Sequence, residues 1–204
     1  MPGIESHWFR RRLAAAGGFD TDVFTYRTTR EPIDAILERL QEFLAARSAA
    51  TVHLVGHSLG GIVLLRLLQR AAQRAPAVPP GRAVLLGSPV CGSDAAARLE
   101  AVALGRAMLG RVAVDGLLRE PLCDWPAPRE VGVIAGTSPV GLGRVLTRFT
   151  EPNDGTVAVR ETRFDSARDR ITLPVSHMGM LMSARVAEET AHFLREGRFS
   201  LRSD

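Results

Sequence analysis

The sequence predicts an α/β domain with a mostly parallel sheet and helices on both faces. Three observations carry this reading. Strand-like runs alternate with helical stretches, the runs are apolar enough to be buried on both sides, and a glycine-rich turn joins one of them directly to a helix. With 204 residues, 46% of them hydrophobic, the chain can bury one sizeable core, and a single domain over residues 1–204 is expected.

Residues 5–16 have the apolar spacing of a short helix, through Trp8, Phe9 and Leu13, closed by Gly17 and Gly18. Phe19 to Tyr26 then alternates as a strand does. Thr28 and Glu31 suggest the start of a second helix, on which Ile33, Ile36, Leu37, Leu40, Phe43 and Leu44 share one face. Thr51 to Gly56 is a short, largely apolar, β-branched run suited to a strand buried on both faces. Leu59 to Arg74 returns to helical period, with Ile62, Leu65, Leu68 and Ala72 toward the core and Arg66, Arg70, Gln73 and Arg74 as the polar stripe. Pro79, Pro80 and Gly81 turn the chain into a strand over Arg82 to Gly87, and Glu130 to Ala135 and Arg170 to Val175 are further strands. A last helix, Ala184 to Glu196, stops at Gly197. Between these, Asp94 to Leu118 is rich in alanine and leucine and reads as helical. It belongs to an insertion over about 94–126 of the size that caps an active site, with plain crossover helices as the alternative.

Composition excludes several classes of function. The basic residues are all arginine, scattered apart from Arg10 to Arg12, the net charge is only +4, and 5% aromatic content provides no stacking platform, so no nucleic-acid partner is expected. Cys91 and Cys123 are too few for a disulfide framework in a chain of this length and read as ordinary thiols. No stretch reaches the 18 or so apolar residues of a membrane span, and the first twenty residues carry charge where a signal peptide has its apolar core. As written, the sequence reads as cytoplasmic, with no integral membrane segment.

The chemistry concentrates at Gly56-His57-Ser58-Leu59-Gly60, a G-x-S-x-G pattern followed by Gly61. The pattern alone is weak, because a glycine-rich chain produces it readily. Its position between a buried strand and a helix is what a nucleophile elbow requires. Such a turn holds the serine in strained backbone geometry and brings neighbouring chains close, so side chains at Gly56 and Gly60 are expected to collide with their surroundings. The helix start beneath the serine favours developing negative charge.

A serine hydroxyl becomes a nucleophile when a base takes its proton. Of five histidines, His7 lies in the first helix, His53 in a strand and His192 late in the last helix, where packing or surface roles explain them. His57 adjoins the serine and reads as support for the elbow. His177 remains, in a loop directly after the last strand, and ligands of open α/β sheets sit beyond the carboxyl ends of strands. A carboxylate should orient that histidine. Asp154, in an Asn-Asp-Gly turn between serine and histidine in the chain, fits best, with Asp124, Glu151, Asp165 and Asp169 as alternatives.

GHSLGG, LGSPVCGS, NDGTV and PVSHMGM, in this order and spanning about residues 5–197, resemble the bacterial lipase/esterase branch of the α/β-hydrolase superfamily, and the pattern is similar to the GPI-inositol-deacylase-like serine hydrolases. The resemblance implies the α/β-hydrolase fold, with Ser58 as nucleophile, Asp154 as acid, His177 as base and the backbone N–H of Leu59 as one oxyanion donor. It implies hydrolysis of a small-molecule or lipid acyl ester through an acyl-enzyme, with no cofactor and no metal. Acyl transfer to another acceptor, thioester cleavage, and an impaired acyl-ligand-binding protein are the alternatives. Acyl-chain length and oligomeric state are not legible.

One part of the pattern has no counterpart. The superfamily's His-Gly loop, which follows an early strand and supplies the second oxyanion donor, would precede the first helix, yet the sequence starts at Met1-Pro-Gly-Ile. The expectation is an N-terminally shortened chain, with the missing strand belonging between Phe19 to Tyr26 and Thr51 to Gly56. Buried strand edges left unpaired cost about 1–3 kcal/mol for each unsatisfied group. The 204-residue form is therefore expected to be poorly expressed or nearly inactive.

Overall fold

The computed structural model describes residues 4–26, 31–73, 78–92, 121–140 and 150–201. Strands β1 (Leu54–His57), β2 (Ala83–Leu86), β3 (Val131–Gly136) and β4 (Asp169–Leu173) form one parallel sheet in the order β1-β2-β3-β4. Around it lie helices α1 (Ile4–Gly17), α2 (Ile33–Ala45), α3 (Leu59–Gln73), α4 (Gly179–Met182) and α5 (Ala184–Glu196), with a 3-10 turn at Val159–Thr162.

The strands are continuous apolar runs because each serves two cores. Successive side chains on a strand point to opposite faces. In β2, Ala83 and Leu85 enter a core with Ile36, Leu40, Ile62 and Leu65 of α2 and α3, while Val84 and Leu86 enter a second core with Phe9 and Leu13 of α1 and Val186 and Phe193 of α5. β3 divides in the same way, Val131 and Val133 on one side and Ile134 on the other. Helices therefore cover both faces, as a parallel sheet requires.

Helix α3 buries more than one stripe. Gly61, Ile62, Val63, Leu64, Leu65, Leu67 and Leu68 are all enclosed, because the helix lies between the sheet and α2, whereas Ala72, expected in the core, is exposed near its end. Helix α5 begins with Ser183 Oγ accepting from the Val186 N–H at 3.3 Å and ends where Gly197 takes a left-handed φ of 73°.

One expected element differs. Phe19 to Tyr26 forms no strand and does not pair with β1. Alternation supplies two faces, but a strand also needs a neighbour to hydrogen-bond with, and this segment is held by side chains instead. Phe19 meets the His53 ring edge-on with centroids 5.6 Å apart, and Phe24 meets Phe43 of α2 at 5.3 Å. Among the described strands β1 is at one edge of the sheet. The strand predicted over residues 51–56 is shorter and later, so His53 precedes β1 and its Nδ1 accepts from the Arg82 N–H at 3.1 Å. The cap expected over about 94–126 falls mostly outside the described residues; within it, Leu122 is buried and Trp125 packs on the α2–α3 core. No described helix is long and apolar enough to cross a membrane.

Candidate active site

The site lies at the carboxyl ends of β1, β2 and β3. β1 ends at His57, α3 begins at Leu59, and Ser58 between them has φ +53°, the one non-glycine residue with positive φ among the described residues. A non-glycine side chain held there is strained, and surrounding contacts must impose it. The Ser58 N–H donates to the Leu86 carbonyl at 2.9 Å, tying the turn to β2, and the Ser58 carbonyl accepts from Gly61 N–H at 3.0 Å, starting the helix. The N–H of Leu59 belongs to the first turn of α3, where backbone donors have no acceptor within the helix.

Space around the turn separates the glycines. A Cβ on Gly56 would lie 2.6 Å from the backbone of Gly61, and one on Gly61 would lie 2.1 Å from Ser88 Oγ. At Gly60 the nearest neighbour is the Tyr26 hydroxyl, 3.8 Å away, which is ordinary contact. The expectation that Gly60 is sterically required is therefore corrected: Gly56 and Gly61 close the turn, because strand and helix cross over those two residues. Gly56→Ala should destabilise the fold by about 1–3 kcal/mol, while Gly60→Ala, inside a helix, should be neutral or stabilise by up to about 1 kcal/mol. Thermal unfolding of the two variants measures the contrast, and equal effects would contradict it.

His177 and Asp154 meet twice. His177 Nδ1 lies 2.7 Å from Asp154 Oδ2, and the His177 backbone N–H donates to the Asp154 carbonyl at 2.9 Å. Asp154 is 1% exposed. Its other carboxylate oxygen accepts from the N–H groups of Thr156 at 2.9 Å and Val157 at 2.7 Å, so the Asn-Asp-Gly turn holds the carboxylate by its own backbone. Asn153 Oδ1 in turn accepts from Gly155 N–H, and Gly155 has φ +90°. With Asp154 as acceptor, Nδ1 of His177 carries the proton and Nε2 is left as the acceptor.

Two glycines that sequence reading did not single out make room for this carboxylate. A Cβ on Gly87, after β2, would stand 3.0 Å from Asp154 Oδ2, and one on Gly136, ending β3, would stand 2.8 Å from Asp154 Cβ and 2.4 Å from the Val175 carbonyl. The signal available in the sequence was a glycine at the carboxyl end of each of two buried strands. Met180 of α4, fully buried, lies against both glycine positions.

The other acids are engaged elsewhere. Glu151 pairs with Arg160 at 2.5 Å, Asp165 with Arg163 at 2.7 Å, and Asp169 Oδ2 accepts from the Phe199 N–H at 2.7 Å at the amino end of β4. Asp124 lies beside Asp165 and Arg163. Among the histidines, His7 is exposed and His192 Nδ1 meets the Arg198 carbonyl at 2.8 Å.

His57 is closer to the chemistry than a filler. Its Nε2 lies 2.9 Å from the backbone carbonyl of His177, and the two rings sit 4.7 Å apart with a 44° tilt. Burial, reinforced by the neighbouring His177, pushes its pKa down to about 4. The unfolded chain therefore binds more protons than the folded one between pH about 6.5 and 4, and His57 removes stability as pH falls through that window. The urea midpoint should drop more steeply below pH 6 in the wild type than in His57→Gln; parallel profiles would show that His57 does not titrate this way. The Ser58 hydroxyl makes no hydrogen bond among the described residues, and the residue before it connects to His177. Among the described residues no group of three or more His, Cys, Asp or Glu side chains is arranged to hold a metal ion.

No family model and no curated protein sequence matches the chain. Solved structures resemble it at low identity. A phospholipase from Legionella pneumophila is 16% identical over 98% of this chain and 56% of its own, with a TM-score of 0.65. A Bacillus licheniformis lipase in its propeptide form is 20% identical over 98% of this chain and 49% of its own, with a TM-score of 0.61. A metagenomic carboxyl esterase is 17% identical over 84% of this chain and 64% of its own, with a TM-score of 0.57. The chain thus spans about half to two thirds of the length of these three proteins. The two-faced parallel sheet of this chain, together with its likeness to these structures, gives it the α/β-hydrolase fold.

Proposed function

We propose that the chain is a serine hydrolase that cleaves carboxylic esters through an acyl-enzyme on Ser58. The observation that carries the reading is the double attachment of His177 to Asp154, joined through His57 to an elbow whose serine is held at positive φ. That arrangement leaves His177 Nε2 as an acceptor, and the residue next to Ser58 in the chain is bonded to the His177 carbonyl. The four sequence motifs that resemble the bacterial lipase/esterase branch support the same reading.

In the proposed reaction, Ser58 Oγ attacks the ester carbonyl carbon as His177 Nε2 takes the hydroxyl proton. The Asp154 carboxylate holds the ring through Nδ1–H and stabilises the imidazolium that forms. The carbonyl oxygen, now negative, faces the Leu59 N–H at the start of α3, where helix-start donors favour an anion, and one such donor contributes about 10²–10³ in turnover. Collapse of the tetrahedral species breaks the ester C–O bond, and His177 returns the proton to the departing alcohol. Water then repeats the attack on the acyl-serine, releasing the carboxylic acid and restoring Ser58.

The lipase, phospholipase and esterase named in the structural comparison favour an acyl ester as substrate over a thioester or amide. A fluorophosphonate probe tests the proposal. Stoichiometric labelling, mapped by mass spectrometry to Ser58 and accompanied by turnover of p-nitrophenyl acyl esters, is the expected result. A chain that binds esters without labelling would instead be an acyl-ligand-binding protein.

A further inference from the structure

We infer that His57 is a positioning residue, whose side chain holds the His177 loop over the nucleophile by donating a hydrogen bond from Nε2 to the His177 backbone carbonyl. The inference rests on the assignment of Ser58 and His177 as nucleophile and base.

Three hydrogen bonds hold His177 itself, beside the Ser138 N–H and Met180 N–H bonds to the carbonyls of Val175 and Ser176 that anchor its neighbours. Two of them, the Nδ1 contact and the backbone N–H bond, come from Asp154. They fix the histidine to the acid loop and make no contact with the elbow segment. The third, His57 Nε2 to the His177 carbonyl at 2.9 Å, comes from the residue that precedes the nucleophile, 120 positions away in sequence. It is the one hydrogen bond among the described residues that joins the elbow segment directly to the base, so it sets the relation between Ser58 and His177. His57 makes this contact from the last residue of β1, and Ser58 follows it in the turn.

The chemistry of the contact assigns the proton. A carbonyl only accepts, so Nε2 of His57 carries the hydrogen, and in the neutral ring Nδ1 is bare. His177 carries its proton on Nδ1 toward Asp154. The two imidazoles packed at 4.7 Å therefore hold opposite tautomers. The charged or titratable groups facing His57 are His177 and Asp154, and burial keeps the His57 ring neutral, as donation without competition for the serine proton requires. The carbonyl that His57 Nε2 bonds is that of His177, a residue only 8% exposed. An apolar side chain of the same size would fill the space and leave that oxygen unpaired.

Glutamine places an amide N–H about where imidazole Nε2 stands; leucine fills similar volume without a donor. His57→Leu should lower kcat on a p-nitrophenyl ester about 10- to 100-fold with KM changed less than about threefold, since displacement of a catalytic group by about 1 Å costs up to about 10² in rate. His57→Gln should recover to within about fivefold of wild type. Thermal unfolding of each variant shows whether the comparison is made between folded proteins. A measurement on the wild type needs no variant: nitrogen-15 NMR of the histidine rings should show His57 protonated at Nε2 and slow in exchange, and His177 protonated at Nδ1. Wild-type activity retained in His57→Leu, a folded His57→Gln no better than His57→Leu, or a His57 ring protonated at Nδ1 alone would each overturn the inference. Absence of labelling and turnover in the wild type would instead defeat the hydrolase assignment, and the tautomer measurement would still report on His57 by itself.

Discussion

Ser58→Ala should reduce turnover of p-nitrophenyl acyl esters to the uncatalysed background, a loss of roughly 10⁴–10⁶, while the protein keeps its fold. Nucleophile and base act as a unit, so removing the hydroxyl removes nearly everything the base can contribute. The fold should survive because the structural links of this residue belong to its backbone: the N–H bonded to Leu86 and the carbonyl bonded to Gly61 both remain in the alanine variant. Alanine meets the same strain at φ +53° as serine, so the turn is not penalised further. Kinetics beside circular dichroism and thermal unfolding provide the check. Activity above a few per cent of wild type in a folded Ser58→Ala protein would move the nucleophile elsewhere.

Asp154→Asn should lower kcat by about 10⁴ with folding retained. An asparagine oxygen can still accept from the Thr156 and Val157 N–H groups, and the backbone bond from His177 N–H to the residue 154 carbonyl does not involve the side chain. What changes is the group facing His177 Nδ1. An amide N–H there requires Nδ1 to accept, which moves the ring proton to Nε2 and leaves no base for Ser58. Asp169→Asn and Asp124→Asn are the controls. Asp169 serves Phe199 at the opposite end of the sheet, and Asp124 lies among Arg163 and Asp165, so both variants should keep turnover near wild type. If either control were crippled and Asp154→Asn remained active, the acid would be misplaced.

These expectations were unequally legible in the sequence. Helix α5 could be bounded at both ends because an N-terminal serine and a C-terminal glycine act within a few residues of the helix they close. The elbow could be found because its strand, turn and helix are contiguous. For the carboxylate partner of His177 the sequence favoured Asp154 for its Asn-Asp-Gly turn and its place between serine and histidine, but left four other acids as alternatives. Their separation in space depends on contacts such as Asp169 with Phe199, 30 residues apart. The two-core role of β2 was readable as an unbroken apolar run, but which helices receive each face was not.

By itself the sequence determined the alternation of strands and helices, the apolar content of both sheet faces, and the placing of Ser58 at a strand-to-helix turn. These follow from side-chain period, caps and turn residues, whose physics acts over three or four positions. Only the tertiary structure decided that Phe19 to Tyr26 is not a strand, that Gly56 and Gly61 rather than Gly60 close the elbow, and that His57 binds the His177 carbonyl. Each of those depends on what lies across from a residue: a ladder partner, a crossing backbone 2.6 Å from where a Gly56 Cβ would stand, or an acceptor 120 positions along the chain. Distances of this kind are properties of the assembled layers, and no local pattern of residues encodes them.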